Sequence, residues 1–211
     1  MKYILTFTIF MMVSVASLAH NFSWDNLMLA HSKIDKAFDY ELHVDSYMSK
    51  YRKPVWSKYR NDEFELEDKR IETIDIMRER IVSFDLSEPF TINTDFSFGE
   101  YDFKSKEFPV VSLSESHYFY VDSNRSGTFP YRYKIYFSNY NLVGNLPMSK
   151  EDAKSFLKSK KDRYGNVRRI LPAKITFHVV DIGSGKGELK AKIKEVTIYK
   201  DNDSKIALVS Y

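Results

Sequence analysis

The chain contains no cysteine, which excludes disulfides, thiolate metal sites, a cysteine nucleophile and acylation at an N-terminal cysteine. Stability must therefore come from packing. Glycine is scarce, at 7 of 211 residues, while Lys, Tyr, Phe and Asn are frequent, a usage like that of an AT-rich bacterial genome. There is no large charge of either sign: 32 basic against 29 acidic side chains leave +3, too near balance to steer the molecule toward nucleic acid or anionic lipid. Only one long apolar run occurs, Tyr3 to Ala16, and it is shorter than the roughly 20 residues that cross a bilayer.

What is there begins with that run. Lys2, the apolar stretch and the small pair Ser17 and Ala19 form a secretory signal peptide over residues 1–19, with cleavage expected between Ala19 and His20. The expected location is the periplasm or the medium. Residues 20–211 then form one α+β domain, helical over 20–83 and β-rich over 84–211, with 16% aromatic residues to fill its interior.

Ser23 caps a helix with Leu27, Ala30, His31, Ile34 and Phe38 on one face. A second helix starts near Tyr40 and stops at Lys53 and Pro54. A third, from Asp62 to Val82, carries Ile71, Ile74, Met77 and Ile81 at helical spacing. After Phe84 the period becomes that of strands, predicted over 89–96, 100–103, 108–113, 117–122 and 131–140. Tyr131, Tyr133, Ile135 and Phe137 alternate with Arg132 and Lys134. Ser149 caps an inserted helix, and a meander closes the chain around a Gly183-Ser-Gly185-Lys-Gly187 turn. The fold expected is α+β: N-terminal helices packed with a mainly antiparallel sheet of six to eight strands, with one inserted helix. In the penultimate strand Leu189, Ala191 and Ile193 share one parity and Val196 and Ile198 the other, so a bulge is predicted near Lys194 and Glu195.

Chemistry-bearing residues are sparse. The five histidines have no spacing that sets two on one metal, so neither metal nor cofactor is expected. The 183–187 stretch lacks the spacing of a phosphate loop, and Ser155 with Lys158 lacks the companion motifs of penicillin-recognising enzymes. The Lys150, Lys154, Lys158 and Lys161 arc is offset by neighbouring Glu151 and Asp162. The remaining candidate is an aromatic and basic set, Tyr118, Tyr120, Arg132, Lys134 and Tyr136, whose parity places it on the sheet face turned away from the core, suited to stacking on sugars, peptides or bases.

The Glu100-Tyr-Asp-Phe…Phe108-Pro hairpin, the Met148 to Leu157 helix and the Arg168, Arg169 strand opening resemble an uncharacterised domain-of-unknown-function family of exported bacterial proteins, over about residues 90–180. The resemblance implies bacterial export and assigns no catalytic residue. The expected function is a non-enzymatic binding or interaction protein of the cell envelope, whose partner is an envelope or host protein or a glycan. The alternatives are a carrier of a small apolar ligand and a small periplasmic hydrolase. Protein recovered from the periplasm or medium should begin at His20 on N-terminal sequencing; a start at Met1, or retention in the cytoplasm, overturns the export reading.

Overall fold

The computed structural model describes residues 19–111, 113–202 and 207–211. In chain order these form strand β1 (His20–Asn21), helices α1 (Trp24–Ile34), α2 (Tyr40–Tyr51), α3 (Lys53–Tyr59) and α4 (Glu63–Ser83), and strands β2 (Phe90–Ser97), β3 (Glu107–Phe108), β4 (Tyr118–Asp122), β5 (Arg132–Phe137) and β6 (Leu146–Pro147). Helix α5 (Lys150–Ser159) and strands β7 (Ile170–Ile182), β8 (Glu188–Tyr199) and β9 (Ala207–Ser210) follow. The fold is α+β. The expected signal peptide lies outside the described residues except for Ala19.

The helix starts are chemically marked. Ser23, Asp39, Asp62 and Ser149 each accept a backbone N–H from three residues ahead, a contribution of about 1 kcal/mol per cap. Helix α3 was not anticipated, because Pro54 reads as a breaker; it sits in the first turn, where its missing N–H has no partner to lose. The buried positions of α4 are Leu66, Thr73, Met77 and Ile81, while Ile71, expected on the core face, is 57% exposed. At roughly 100° per residue Ile71 falls outside the arc shared by those four, and Thr73 is accommodated on it because its hydroxyl is bonded at both ends, donating to the Lys69 carbonyl and accepting from Arg52.

A seven-stranded sheet has the order β1-β2-β7-β8-β5-β4, with β9 also pairing β8. Most pairs are antiparallel, but β1–β2 and β5–β8 are parallel. β5 and β8 are separated by α5 and β7, which supplies the long connection that parallel pairing requires. The predicted bulge is present: Phe177 pairs with Ile193 and Thr176 with Glu195, leaving Lys194 unmatched, so the core parity moves from Ile193 to Val196. Two strand expectations are corrected. Residues 100–103 form no strand, because the Asp102 carboxylate accepts the N–H groups of Lys104 and Ser105 and reverses the chain at once. Tyr131 precedes β5 and is 52% exposed, so the core alternation begins at Tyr133.

One face of the sheet is covered by helices. Leu27, Met28, Leu29 and Ala30 are all buried, and four consecutive buried positions mean that α1 is enclosed on every side. It lies on β5 and β7 with α4 packed against it. Phe177 on β7 meets Phe90, Phe137 and Phe22 at centroid distances of 5.6, 5.2 and 6.3 Å. The helical layer is tied by a polar knot around Asp25, which accepts from Tyr51 Oη at 2.5 Å and pairs with Lys50 Nζ at 2.9 Å. Lys50 also lies 3.6 Å from the centroid of a Trp24 ring.

Burial pushes the Asp25 carboxyl up, but the hydrogen bonds from Tyr51 and Lys50 and the Lys50 charge outweigh it, leaving its pKa below the ordinary 3.8. A depressed folded-state pKa gives stability that is present above the unfolded-state value and is lost as pH falls through the folded one. Urea denaturation between pH 5 and 2 should therefore show a shallower acid loss for Asp25→Asn than for wild type, with the two curves closest at the acid end. Parallel curves would remove Asp25 from the acid response.

Candidate functional site

The five residues singled out from the sequence lie together on one sheet face. Register places Tyr118 opposite Tyr136 and Tyr120 opposite Lys134 across β4 and β5, so their side chains rise on the side away from Ile135 and Phe137. Tyr118 is 36% and Tyr120 50% exposed. The Arg132 guanidinium sits 4.1 Å from the Tyr120 ring centroid and Lys134 Nζ 5.0 Å from that of Tyr118. Tyr118 and Tyr136 are 5.4 Å apart between ring centroids. The cations are already paired: Arg132 holds Asp122 through two hydrogen bonds of 2.6 and 2.8 Å, and Lys134 lies 3.7 Å from Glu188. The bond from Arg132 holds the Asp122 carboxyl below its usual range. What this surface presents is a set of rings fixed in place with little unbalanced charge.

A cleft elsewhere on the molecule was not legible in the sequence. A cleft of about 410 Å³ opens between the α1–α2 connection, the 128–130 segment and the 183–187 turn, with His31, His43 and Tyr133 among its lining residues. Two glycines allow these walls to meet. Gly127 (φ +58°) lets the β4–β5 connection close on α2, where a side chain would strike Ser46; Gly187 (φ +73°) lets the turn approach Pro130 and the Arg132 carbonyl. The His43 ring packs nearly parallel to Phe38 and Phe129, at 4.9 and 4.4 Å between centroids, and the two phenyl rings are themselves 6.3 Å apart. Its Nδ1 lies 2.7 Å from Thr128 Oγ1, and the Thr128 hydroxyl donates to Ser46 Oγ at 3.0 Å. Nδ1 is therefore the donor toward Thr128, and Nε2 keeps its lone pair.

Burial lowers the pKa of His43, opposed by Asp39 and Asp35 and reinforced by Lys186 and His31. Burial likewise lowers that of His31, opposed by Asp35. In both cases burial favours the neutral ring. The five histidines looked scattered because helical spacing relates residues within one element, whereas His31 and His43 are brought together by the turn between α1 and α2.

Tyr133 is the most unusual member. The residue is 0% exposed, burial pushes its phenol pKa up, and its hydroxyl has no hydrogen-bond partner among the described residues. A buried hydroxyl left unpaired costs about 1–3 kcal/mol. Tyr133→Phe should therefore stabilise the ligand-free protein, by about 1 kcal/mol in urea denaturation; destabilisation would mean that the hydroxyl is satisfied in the folded state.

No curated protein and no solved structure matches this chain. A family model does, the domain of unknown function DUF4852, over residues 39–159. The match runs from the cap of α2 to the end of α5 and starts well before the stretch from which the resemblance was drawn. It takes in the whole tyrosine face together with His43, Thr128 and Tyr133, and leaves His31 and the 183–187 turn outside. Covering more than half of the sequence, it shows that the chain belongs to the DUF4852 domain-of-unknown-function family.

Proposed function

We propose that this is an exported, non-enzymatic binding protein of the bacterial cell envelope, periplasmic or secreted, that engages a glycan through Tyr118, Tyr120, Arg132, Lys134 and Tyr136. The observation that carries the reading is the set of exposed tyrosine rings held by their own cations. Rings already fixed lose little conformational freedom on binding, and tyrosine combines an apolar face with a polar tip, the pairing that a sugar ring meets with its C–H face and hydroxyls. The internal pairing of Arg132 with Asp122 and of Lys134 with Glu188 argues against an anionic partner such as nucleic acid, because those ion pairs would have to break.

A catalytic reading is less well supported. His43 and Thr128 form a hydroxyl–imidazole pair, but no carboxylate hydrogen-bonds His43 among the described residues, so the group that orients a catalytic base is missing. The double variant Tyr118→Ala/Tyr120→Ala should bind purified peptidoglycan sacculi at least about tenfold more weakly, a loss of about 1.4 kcal/mol, while melting within a few degrees of wild type. Unchanged binding overturns the assignment. So does a fall in melting temperature of more than about ten degrees, since it would make these tyrosines part of the core.

A further inference from the structure

The cleft beside α1 is separate from the tyrosine face and has features that folding alone does not explain. Its volume, about 410 Å³, is within the range of roughly 300–1,000 Å³ typical of small-molecule sites. The fully buried Tyr133 hydroxyl is unpartnered and Tyr133 lines the cavity. A hydroxyl kept in the interior at a cost to stability is accounted for if something outside the chain completes its hydrogen bond. His43 is held rigidly by two aromatic rings and the Thr128–Ser46 relay, with Nε2 left as an acceptor.

The charges are arranged by wall. Asp35 and Asp39 line the helical side. Each spends one oxygen on a local N–H, Asp35 Oδ1 on Ala37 and Asp39 Oδ1 on Leu42, and keeps the other. Lys186 lines the sheet side, on the turn between β7 and β8, and has no ion-pair partner among the described residues. Asp35, Asp39 and Lys186 line the same cleft as His43, so the two walls face a common space. A simple anion would meet two carboxylates and a simple cation would meet the lysine; a molecule carrying both charges satisfies both walls.

We propose that this cleft binds a small zwitterion of amino-acid or dipeptide size, with its ammonium group toward Asp35 and Asp39, its carboxylate toward Lys186, and a polar atom between them paired with the Tyr133 hydroxyl. The neutral imidazoles of His31 and His43 then serve as hydrogen-bonding groups that add no competing charge. The inference is independent of the glycan reading, because none of its residues belongs to the tyrosine face.

Isothermal titration calorimetry on the protein beginning at His20 tests it with L-alanine, D-alanine and L-alanyl-L-alanine as probes and glucose as a neutral polyol of similar size. At least one zwitterion should bind and glucose should not. Lys186→Ala, an exposed position, should weaken that binding at least about tenfold without altering the melting temperature. Tyr133→Phe should weaken it at least about fivefold while the ligand-free protein is as stable as wild type or more so. Tyr118→Ala/Tyr120→Ala should leave it unchanged, which keeps the outcome distinct from that of the glycan test. Absence of heat with all three zwitterions at 10 mM, binding of glucose alone, or zwitterion binding unaffected by both Lys186→Ala and Tyr133→Phe overturns the proposal.

Discussion

Everything in this molecule is arranged around the enclosure of α1. A helix with Leu27 through Ala30 buried in succession has no solvated face of its own at that level, so it must have the sheet on one side and a second layer of helices on the other. Trp24 joins the layers: its indole N–H donates to the Pro130 carbonyl at 3.0 Å, its ring packs on Tyr133 and Phe129, and Lys50 of α2 lies across it. The β4–β5 connection, which contributes Pro130 and Phe129, is thereby drawn down onto the helices. Its contacts with Ser46 and His43 follow from the same closure.

That enclosure has a structural consequence on each side of the sheet. Where α1 ends, the chain must turn back to begin α2, and the turn stands above β5 and the β7–β8 connection; the cleft is the space left between them. On the other face no described helix covers β4 and β5, so alternate residues of those strands remain accessible as rings and charges. Glu188 stands between the two regions. It accepts from the Gly185 N–H at 3.0 Å within the turn that walls the cleft, and its carboxylate also approaches Lys134 and Tyr136 on the exposed face.

Local signals account for what could be read directly. The caps at Ser23, Asp39, Asp62 and Ser149 act within a few residues, as do the period of β5 and the parity change that marks the bulge at Lys194. The face shared by Tyr118, Tyr120, Arg132, Lys134 and Tyr136 was legible for the same reason, since two neighbouring antiparallel strands preserve parity across their register. Reading failed where a distant partner decided the outcome. Thr73 can be buried on α4 because Arg52, between α2 and α3, supplies its hydroxyl with a partner.

By itself the sequence determined the α+β class, every described helix start but that of α3, the strand parities and the exposed tyrosine face, because each depends on backbone hydrogen bonding and on side-chain alternation over a few residues. Only the tertiary structure decided that β5 runs parallel to β8, that His31 and His43 share one cleft, and that the Tyr133 hydroxyl is buried without a partner. Those outcomes depend on which surfaces meet when α1 is enclosed. The meeting is governed by the fit of whole elements, and no pattern within a single element encodes it.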